Sequence, residues 1–257
     1  MMQNPIWFLF WSGQILLRAE ATGLEALPCA PEAPLAPAGG VHDLGGYAQK
    51  PCRACRVDFL PEEGGLRAVD LRSAYRILGE SLYQLAGKGR EMIHWEEHSR
   101  YCPACGAGTE PATPLSRQCP ACGRLLFPHI APAVLALIHK EDRILLVRAH
   151  SFTGPHYGLV AGFLEPGESL EECVRREVLE ETGLEVGGIT YFGSQPWPYP
   201  SGLMVGFVMR HTAGEIRLQQ EELSHGAFFP RQDLPGLPHR LSLARRMIDS
   251  WLAGLLS

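Results

Sequence analysis

No part of this chain is long and apolar enough to cross a bilayer. The apolar run Ile6–Trp11 falls far short of the roughly 20 residues a spanning helix needs. No basic stretch precedes that run and no small-residue cleavage site follows it. A signal peptide is therefore not expected, and the cytoplasm is the default compartment. Neither GxxxxGK[ST] nor GxGxxG occurs, which leaves phosphate-loop motors and dinucleotide-dependent oxidoreductases without support. No internal repeat is evident. Neither sign of charge dominates: 23 Lys and Arg face 28 Asp and Glu, a net −5. That balance argues against a broad basic surface for nucleic acid. The 257 residues suit one large domain or two smaller ones, with an ordinary soluble composition.

Ile6–Trp11 and Ile15–Arg18 read as a hairpin turning at Ser12-Gly13. Residues 27–46 are rich in Pro, Ala and Gly and read as loop or poorly ordered chain. Helical patterns follow at 71–86 and 89–99. Residues 131–150 read as a second hairpin with Lys140-Glu141-Asp142 at its turn, and YGLVAGFL, 203–212 and 226–230 as further strands. An amphipathic helix is expected over 243–256. The mixture predicts an α/β (α+β) fold, a mixed sheet with helices packed against it.

Eight cysteines are present, and in a cytosolic chain they are metal ligands or buried thiols before they are disulfides. Cys102-x2-Cys105 and Cys119-x2-Cys122 each turn two thiolates toward one point, and together they form a tetrahedral shell for one structural Zn2+. Gly106 and Gly123 follow the pairs, where a knuckle needs a permissive backbone. Cys52 and Cys55 form another CxxC with no second pair nearby, and Cys29 stands alone. Incidental thiols are the better reading there, ahead of a redox or metal role.

Residues 162–184, GFLEPGESLEECVRREVLEETGL, hold seven carboxylates among eight apolar side chains. Ser169 and Glu172 form a capping box that starts a helix, and Gly183 suits its C′ position. Measured from Glu177 at about 100° per residue, Leu170, Cys173, Val174, Glu180 and Glu181 all lie within about 60°. The stripe is apolar in its first turns and acidic in its last, so three carboxylates continue the core-facing side. A solvated acidic face explains this poorly, because acids in a last turn oppose the helix dipole and one another. A bound Mg2+ or Mn2+ reverses that sign. Arg176 can pair with Glu180 or orient a neighbouring carboxylate, and Glu171 and Glu172 lie elsewhere on the helix.

The same stretch matches the pattern G-x5-E-x7-R-E-U-x-E-E-x-G-U, with U a bulky aliphatic, at Gly162, Glu168, Arg176, Glu177, Val178, Glu180, Glu181, Gly183 and Leu184. The chain therefore resembles the Nudix hydrolases. Downstream, SQPWPYPSG (194–202) is similar to the SQPWPFPxS array of the NADH pyrophosphatases within that superfamily, which also carry a four-cysteine zinc ribbon ahead of the Nudix domain. Tyr199 stands for Phe in the array, and Gly202 for the final Ser, removing that hydroxyl. The resemblance covers residues 95–250 well and the first 90 loosely. It implies an N-terminal mixed α/β domain at 1–100, the ribbon at 101–125 and a Nudix α/β/α sandwich at 126–257.

The implied reaction is NADH + H2O → NMNH + AMP, with removal of the NAD cap from RNA 5′ ends as an extension. By resemblance Glu177 and Glu181 are the Mg2+ or Mn2+ ligands, Glu180 assists, and the Ala161 carbonyl and Glu222 complete the site. The general base is Glu181 or Glu222. Phe163 either stacks on a base or belongs to the core. Phe127, Ala244 and the segment Gln195, Pro196, Trp197, Pro198, Tyr199, Pro200, Ser201 and Gly202 match substrate-contact positions. Trp197 and Tyr199 make an aromatic-walled loop suited to stacking a base or nicotinamide ring. Arg100, Arg117, Arg124 and Arg148 are either contacts to a phosphate chain or plain surface charge. A homodimer is implied, with the N-terminal hairpin a contributor. Two rival readings remain: a Nudix hydrolase for another nucleoside diphosphate such as ADP-ribose, and a zinc-ribbon binding module with an inactive Nudix domain.

Overall fold

The structure, a computed structural model, describes residues 3–61, 65–152 and 154–256. Two compact units divide the chain: residues 1–129 with 197–201, and residues 130–196 with 202–257. No helix among the described residues is long and apolar enough to cross a membrane.

In the first unit β1 (Ile6–Trp11) and β2 (Gln14–Arg18) form the expected hairpin. Ser12 and Gly13 take φ of 47° and 80°, two successive left-handed residues that match the twist of the flanking strands. β3 (His42–Tyr47), β4 (Lys50–Arg56) and β5 (Leu66–Val69) complete a five-stranded sheet in the order β3-β4-β1-β2-β5, with β1 and β4 parallel. β1 lies at the centre, so the hairpin's strands are core and only its turn is open. Trp7, Leu9, Leu16, Cys55 and Val57 fill one face beneath Ala33 and Leu35. The Pro-rich stretch thus has a packing role, and its end is strand β3.

α1 (Leu71–Leu78) starts at Asp70, whose carboxylate accepts from the Arg72 and Ser73 N–H groups. It stops at Gly79, φ 76°, and α2 (Glu80–His98) begins directly after. The expected break near residue 87 is therefore misplaced. Gly87 and Gly89 lie inside α2 because a neighbour sits too close for a side chain. A Cβ on Gly89 would come 2.8 Å from Ala54 Cβ and 3.4 Å from Phe10 Cε2. Gly89→Ala gains about 1 kcal/mol of helix propensity but overpacks this face by about 1–3 kcal/mol. We expect a thermal midpoint a few degrees lower; a higher midpoint would contradict the close approach.

Cys52 and Cys55 lie three apart on β4, on opposite faces of the strand, and both are buried. Burial pushes the Cys55 thiol up to about 11. They are core thiols rather than a knuckle.

The second unit is built on β9 (Ala131–Lys140), a continuous apolar run buried on both faces, as a central strand requires. β10 (Arg143–Ala149) meets it only at Arg143↔Lys140 and Ile144↔His139, then diverges. β11 (Val160–Phe163) takes the vacated edge, Ala161 opposite Leu135. β12 (Glu185–Trp197), β13 (Gly202–Ala213) and β14 (Leu223–Pro230) complete the order β12-β13-β9-β10-β14, with β13 parallel to β9. Alternate residues face opposite layers. Val134, Ala136 and Ile138 pack with Cys173, Val174 and Val178 of α3 (Leu170–Thr182). Leu135 and Leu137 pack with Met247, Ile248 and Trp251 of α4 (Leu243–Leu252). The result is a helix–sheet–helix sandwich. α4 is shorter than expected, and Gly254 in the left-handed region (φ 73°) follows it.

Candidate functional site

The acidic helix α3 is fixed at both ends. Ser169 and Glu172 make the reciprocal capping box, and Gly183 adopts αL with its N–H bonded to the Leu179 carbonyl. Arg176 organises the rest. Its guanidinium grips both oxygens of Glu168, reaches Glu177 Oε1 at 2.8 Å and Glu180 Oε2 at 3.1 Å, and donates to the Phe163 carbonyl at 3.1 Å. The first of these bonds holds Glu168 well below the usual carboxylate range, at about 2. Arg176 thereby ties the β11–α3 loop to the helix and aims Glu177.

Glu177 lies against the backbone of Gly162: a Cβ there would sit 1.9 Å from Glu177 Cδ. Only glycine admits the carboxylate. Glu181 is 3% exposed, and no hydrogen bond reaches its carboxylate among the described residues. Burial, then the neighbouring charges of Glu177, Glu222 and Glu180, push its pKa up to about 8. Burial also raises Glu177, opposed by Arg176 and reinforced by Glu180 and Glu222. Glu222 sits just before β14, where the His150 N–H binds its carbonyl. Ala161 precedes Gly162 on β11.

One expectation needs correction. Glu180 does not continue the buried side; its side chain is 55% exposed. The buried face centres near Val174, Val178 and Glu181, roughly 60° round from Glu177 and so about 120° from Glu180. Among the described residues the acidic set is also more open than the groups already close enough to hold one ion. Arg176 competes for Glu177. The donors still fit Mg2+ or Mn2+: they are all oxygen, one is deeply buried without a partner, and a glycine leaves room beside another.

A pH dependence follows. Glu181 has its folded pKa raised from 4.5 to about 8. Its contribution to stability is complete below the unfolded pKa and is lost as pH rises through the folded value. In buffer free of Mg2+ and Mn2+, the thermal midpoint should fall between pH 4.5 and 8. Glu181→Gln should flatten that fall and raise the midpoint at the alkaline end, at about 2–4 °C per kcal/mol for a chain this size. Equal slopes in the two proteins would count against the burial of a charge.

The four cysteines sit in the first unit, within 4.8 Å of one another. The two knuckles are copies: Gly106 N–H bonds the Cys102 carbonyl, Gly123 N–H that of Cys119, both at 2.9 Å, and both glycines are left-handed. Sulfur separations of 3.6 Å (Cys102–Cys122) and 3.5 Å (Cys105–Cys119) approach the roughly 3.8 Å edge of a tetrahedron with 2.3 Å zinc–sulfur bonds. The short strands β6 (Glu110–Thr113), β7 (Ser116–Gln118) and β8 (Leu125–Leu126) complete a ribbon. Arg117 is spent inside it, on the Thr109 hydroxyl and carbonyl, while Arg100 and Arg124 are exposed.

Residues 197–201 belong to the first unit. Arg72 lies over the Tyr199 ring at 4.2 Å, and the Tyr199 and Tyr83 hydroxyls share a 2.7 Å hydrogen bond. Pro198 sits over Gly87, where a Cβ would come within 3.1 Å of its ring. Trp197 meets Tyr199 edge-on at 5.1 Å, and Ser201 donates to the His129 carbonyl. Arg72, Tyr83 and Gly87 were not legible as partners, since Tyr83 and Tyr199 lie 116 residues apart. In the second unit the Gln195 amide binds the Leu241 carbonyl and accepts from the Leu243 N–H, steadying the start of α4. Ala244 is buried in the α4 core, whereas Pro196 and Pro200 are exposed and Gly202 is half-buried. Phe163 and Phe127 are 66% and 63% exposed, so neither is core.

Comparison with known proteins gives two family matches: residues 129–252 to the NUDIX domain, and 5–95 to the NADH pyrophosphatase-like rudimentary NUDIX domain. A protein of Pseudomonas aeruginosa PAO1 described as NAD-capped RNA hydrolase NudC is 36% identical over 214 residues, 82% of this chain and 77% of its own length. One of the same description from Pseudomonas syringae pv. tomato is 37% identical over 174 residues, 67% of this chain; the match spans 63% of that relative, under two thirds. A crystal structure of a NUDIX hydrolase from Nitrosomonas europaea aligns with a TM-score of 0.51 at 21% identity, over 60% of this chain and 90% of that one, a likeness of fold.

Proposed function

Because this chain belongs to the Nudix hydrolases, in their NADH pyrophosphatase (NAD-capped RNA hydrolase) branch, we propose that it cleaves the pyrophosphate bond of NAD(H) to NMN(H) and AMP. Removal of the NAD cap from RNA 5′ ends is the same cut on a longer substrate. The observation that carries the reading is Glu181, a carboxylate 3% exposed with no hydrogen bond among the described residues, one turn beyond the half-buried Glu177 on α3.

In this reading Glu177, Glu181, Glu222 and the Ala161 carbonyl hold Mg2+ or Mn2+, and Glu180 assists from the rim. When bound there, the cation neutralises the pyrophosphate and makes water more acidic. Arg176 orients Glu177 and favours its ionised form against burial. Glu181, which has no guanidinium partner among the described residues, is placed in this reading to take the proton from the attacking water. The phosphorus–bridging-oxygen bond breaks, and the two halves leave as monophosphates. Phe163 offers an exposed ring face to a base. Phe127, Ala244 and residues 195–202 carry substrate contacts in the same reading.

Zn2+ occupies the ribbon, one ion per chain, as a structural cofactor. A homodimer is proposed, with the exposed Tyr101, Leu115 and Leu125 as apolar side chains for a second copy to cover. Eight cysteines without a disulfide among them suit the cytoplasm.

A panel of NADH, NAD+, ADP-ribose and NAD-capped RNA, with and without Mg2+ or Mn2+, tests the assignment by product chromatography. NMNH and AMP from NADH, only with metal, are expected. Cleavage of ADP-ribose alone would overturn it.

A further inference from the structure

The last turn of α2 carries His94, Glu97 and His98, at the i, i+3 and i+4 spacing that puts three side chains on one face. Each can offer a ligand atom within 4.8 Å of the other two. The two imidazole centroids are 4.0 Å apart, so the rings already lie side by side. His98 Nδ1 is 2.8 Å from the His94 carbonyl, which sets Nδ1 as the protonated nitrogen and leaves the lone pair on Nε2. A ligating histidine whose other nitrogen donates to a carbonyl has its tautomer and ring direction fixed.

From this geometry we propose that His94, Glu97 and His98 form a second metal site, distinct from the four-cysteine site and from the acidic set of α3. It would take a borderline transition-metal ion such as Zn2+, Ni2+ or Cu2+. Two imidazole nitrogens and one carboxylate select that class over Mg2+, which prefers an all-oxygen shell. Three protein ligands leave an outer position to water, so the ion is exchangeable.

Three further features support it. The site lies at a helix C-terminus, where the dipole and the free carbonyls favour a cation. Burial, then His98 and Arg90, against Glu97, lowers the His94 pKa and so favours the neutral form of its imidazole. Among the described residues Glu97 is held by a 3.5 Å contact to Arg56 Nε, and Arg56 keeps Asp58 and the Ala38 carbonyl when Glu97 turns away. Arg90, in the turn before, opposes a cation at His94, and Glu97 favours one.

The ion would also brace the ribbon's root. Ser99, the helix C-cap, donates to the Trp95 carbonyl, and its own carbonyl accepts from the Thr109 hydroxyl inside the ribbon. A clamp on 94–98 therefore stiffens the segment from which the four-cysteine site hangs.

The test uses the full, tag-free chain loaded with zinc, in a Glu177→Gln/Glu181→Gln background that removes the acidic set. Ni2+ is titrated by calorimetry, and Cu2+ is followed by electron paramagnetic resonance. One additional Ni2+ per chain is expected, with Cu2+ showing coupling to two nitrogens. His94→Gln/His98→Gln should weaken Ni2+ by at least about tenfold, the loss that follows even removal of an outer partner of a metal ligand. Zinc content should stay at one per chain. His98→Gln alone, at an exposed position, gives the same answer should the double variant fold poorly. Equal Ni2+ affinity in parent and His98→Gln, or a Cu2+ spectrum without coupling to two nitrogens, would overturn the proposal.

Discussion

Glu181→Gln is expected to reduce turnover of NADH by about a thousandfold, near the upper end of what loss of one preorganised electrostatic group costs an enzyme. The substitution keeps the shape and removes the charge. Glu181 is the deepest carboxylate of the set, unpaired and surrounded by Glu177 and Glu222. It serves in our reading both as cation ligand and as proton acceptor, so both losses fall on the same step. The folded chain should be as stable as the parent, or more so at alkaline pH. Glu180→Gln is the contrast. That side chain is 55% exposed and meets only Arg176, so a few-fold effect is expected. Initial rates at saturating Mn2+ distinguish the two. Equal losses in both variants, or parent-like turnover in Glu181→Gln, would refute the division of roles.

Cys119→Ser should lower zinc from one ion per chain to none and release the ribbon as an ordered element. The ribbon has three short strands, one of them the two residues Leu125–Leu126, and little apolar interior. Metal binding supplies about 10–16 kcal/mol in comparable small zinc modules, far more than such a sheet can. Protease nicking between residues 100 and 126 should appear in the variant and not in the parent. The clusters on either face of the β9 sheet contain no ribbon residue, so the α3 and α4 layers should survive. A variant that retained one zinc per chain and resisted cleavage would show that the four thiolates are not the ligands.

The parts of the fold legible in the sequence were those with local causes. The Ser12-Gly13 turn, the Ser169–Glu172 box, the Gly183 cap and the paired CxxC knuckles each depend on residues a few positions apart. Helical geometry alone puts Glu177 and Glu181 toward the inward side of α3, where the structure has them. What stayed hidden depends on distant partners. Gly89 reads as a helix breaker until Ala54 is seen 2.8 Å from where its side chain would be. Cys52 and Cys55 imitate a ligand pair, although on a strand they face opposite ways. Tyr199 reads as an open aromatic wall, yet Arg72 and Tyr83 occupy it. Glu180 falls inside a window centred on Glu177, because the sequence does not reveal that the buried face centres nearer Glu181.

The central claim is that inward carboxylates on α3 are stable there because a divalent cation shares the site. Counting bound Mn2+ by electron paramagnetic resonance, in parent and Glu177→Gln/Glu181→Gln chains loaded with zinc, tests it most directly. Saturable Mn2+ binding is expected in the parent and its loss in the double variant, with zinc content unchanged. The same Mn2+ stoichiometry and affinity in both proteins would contradict it.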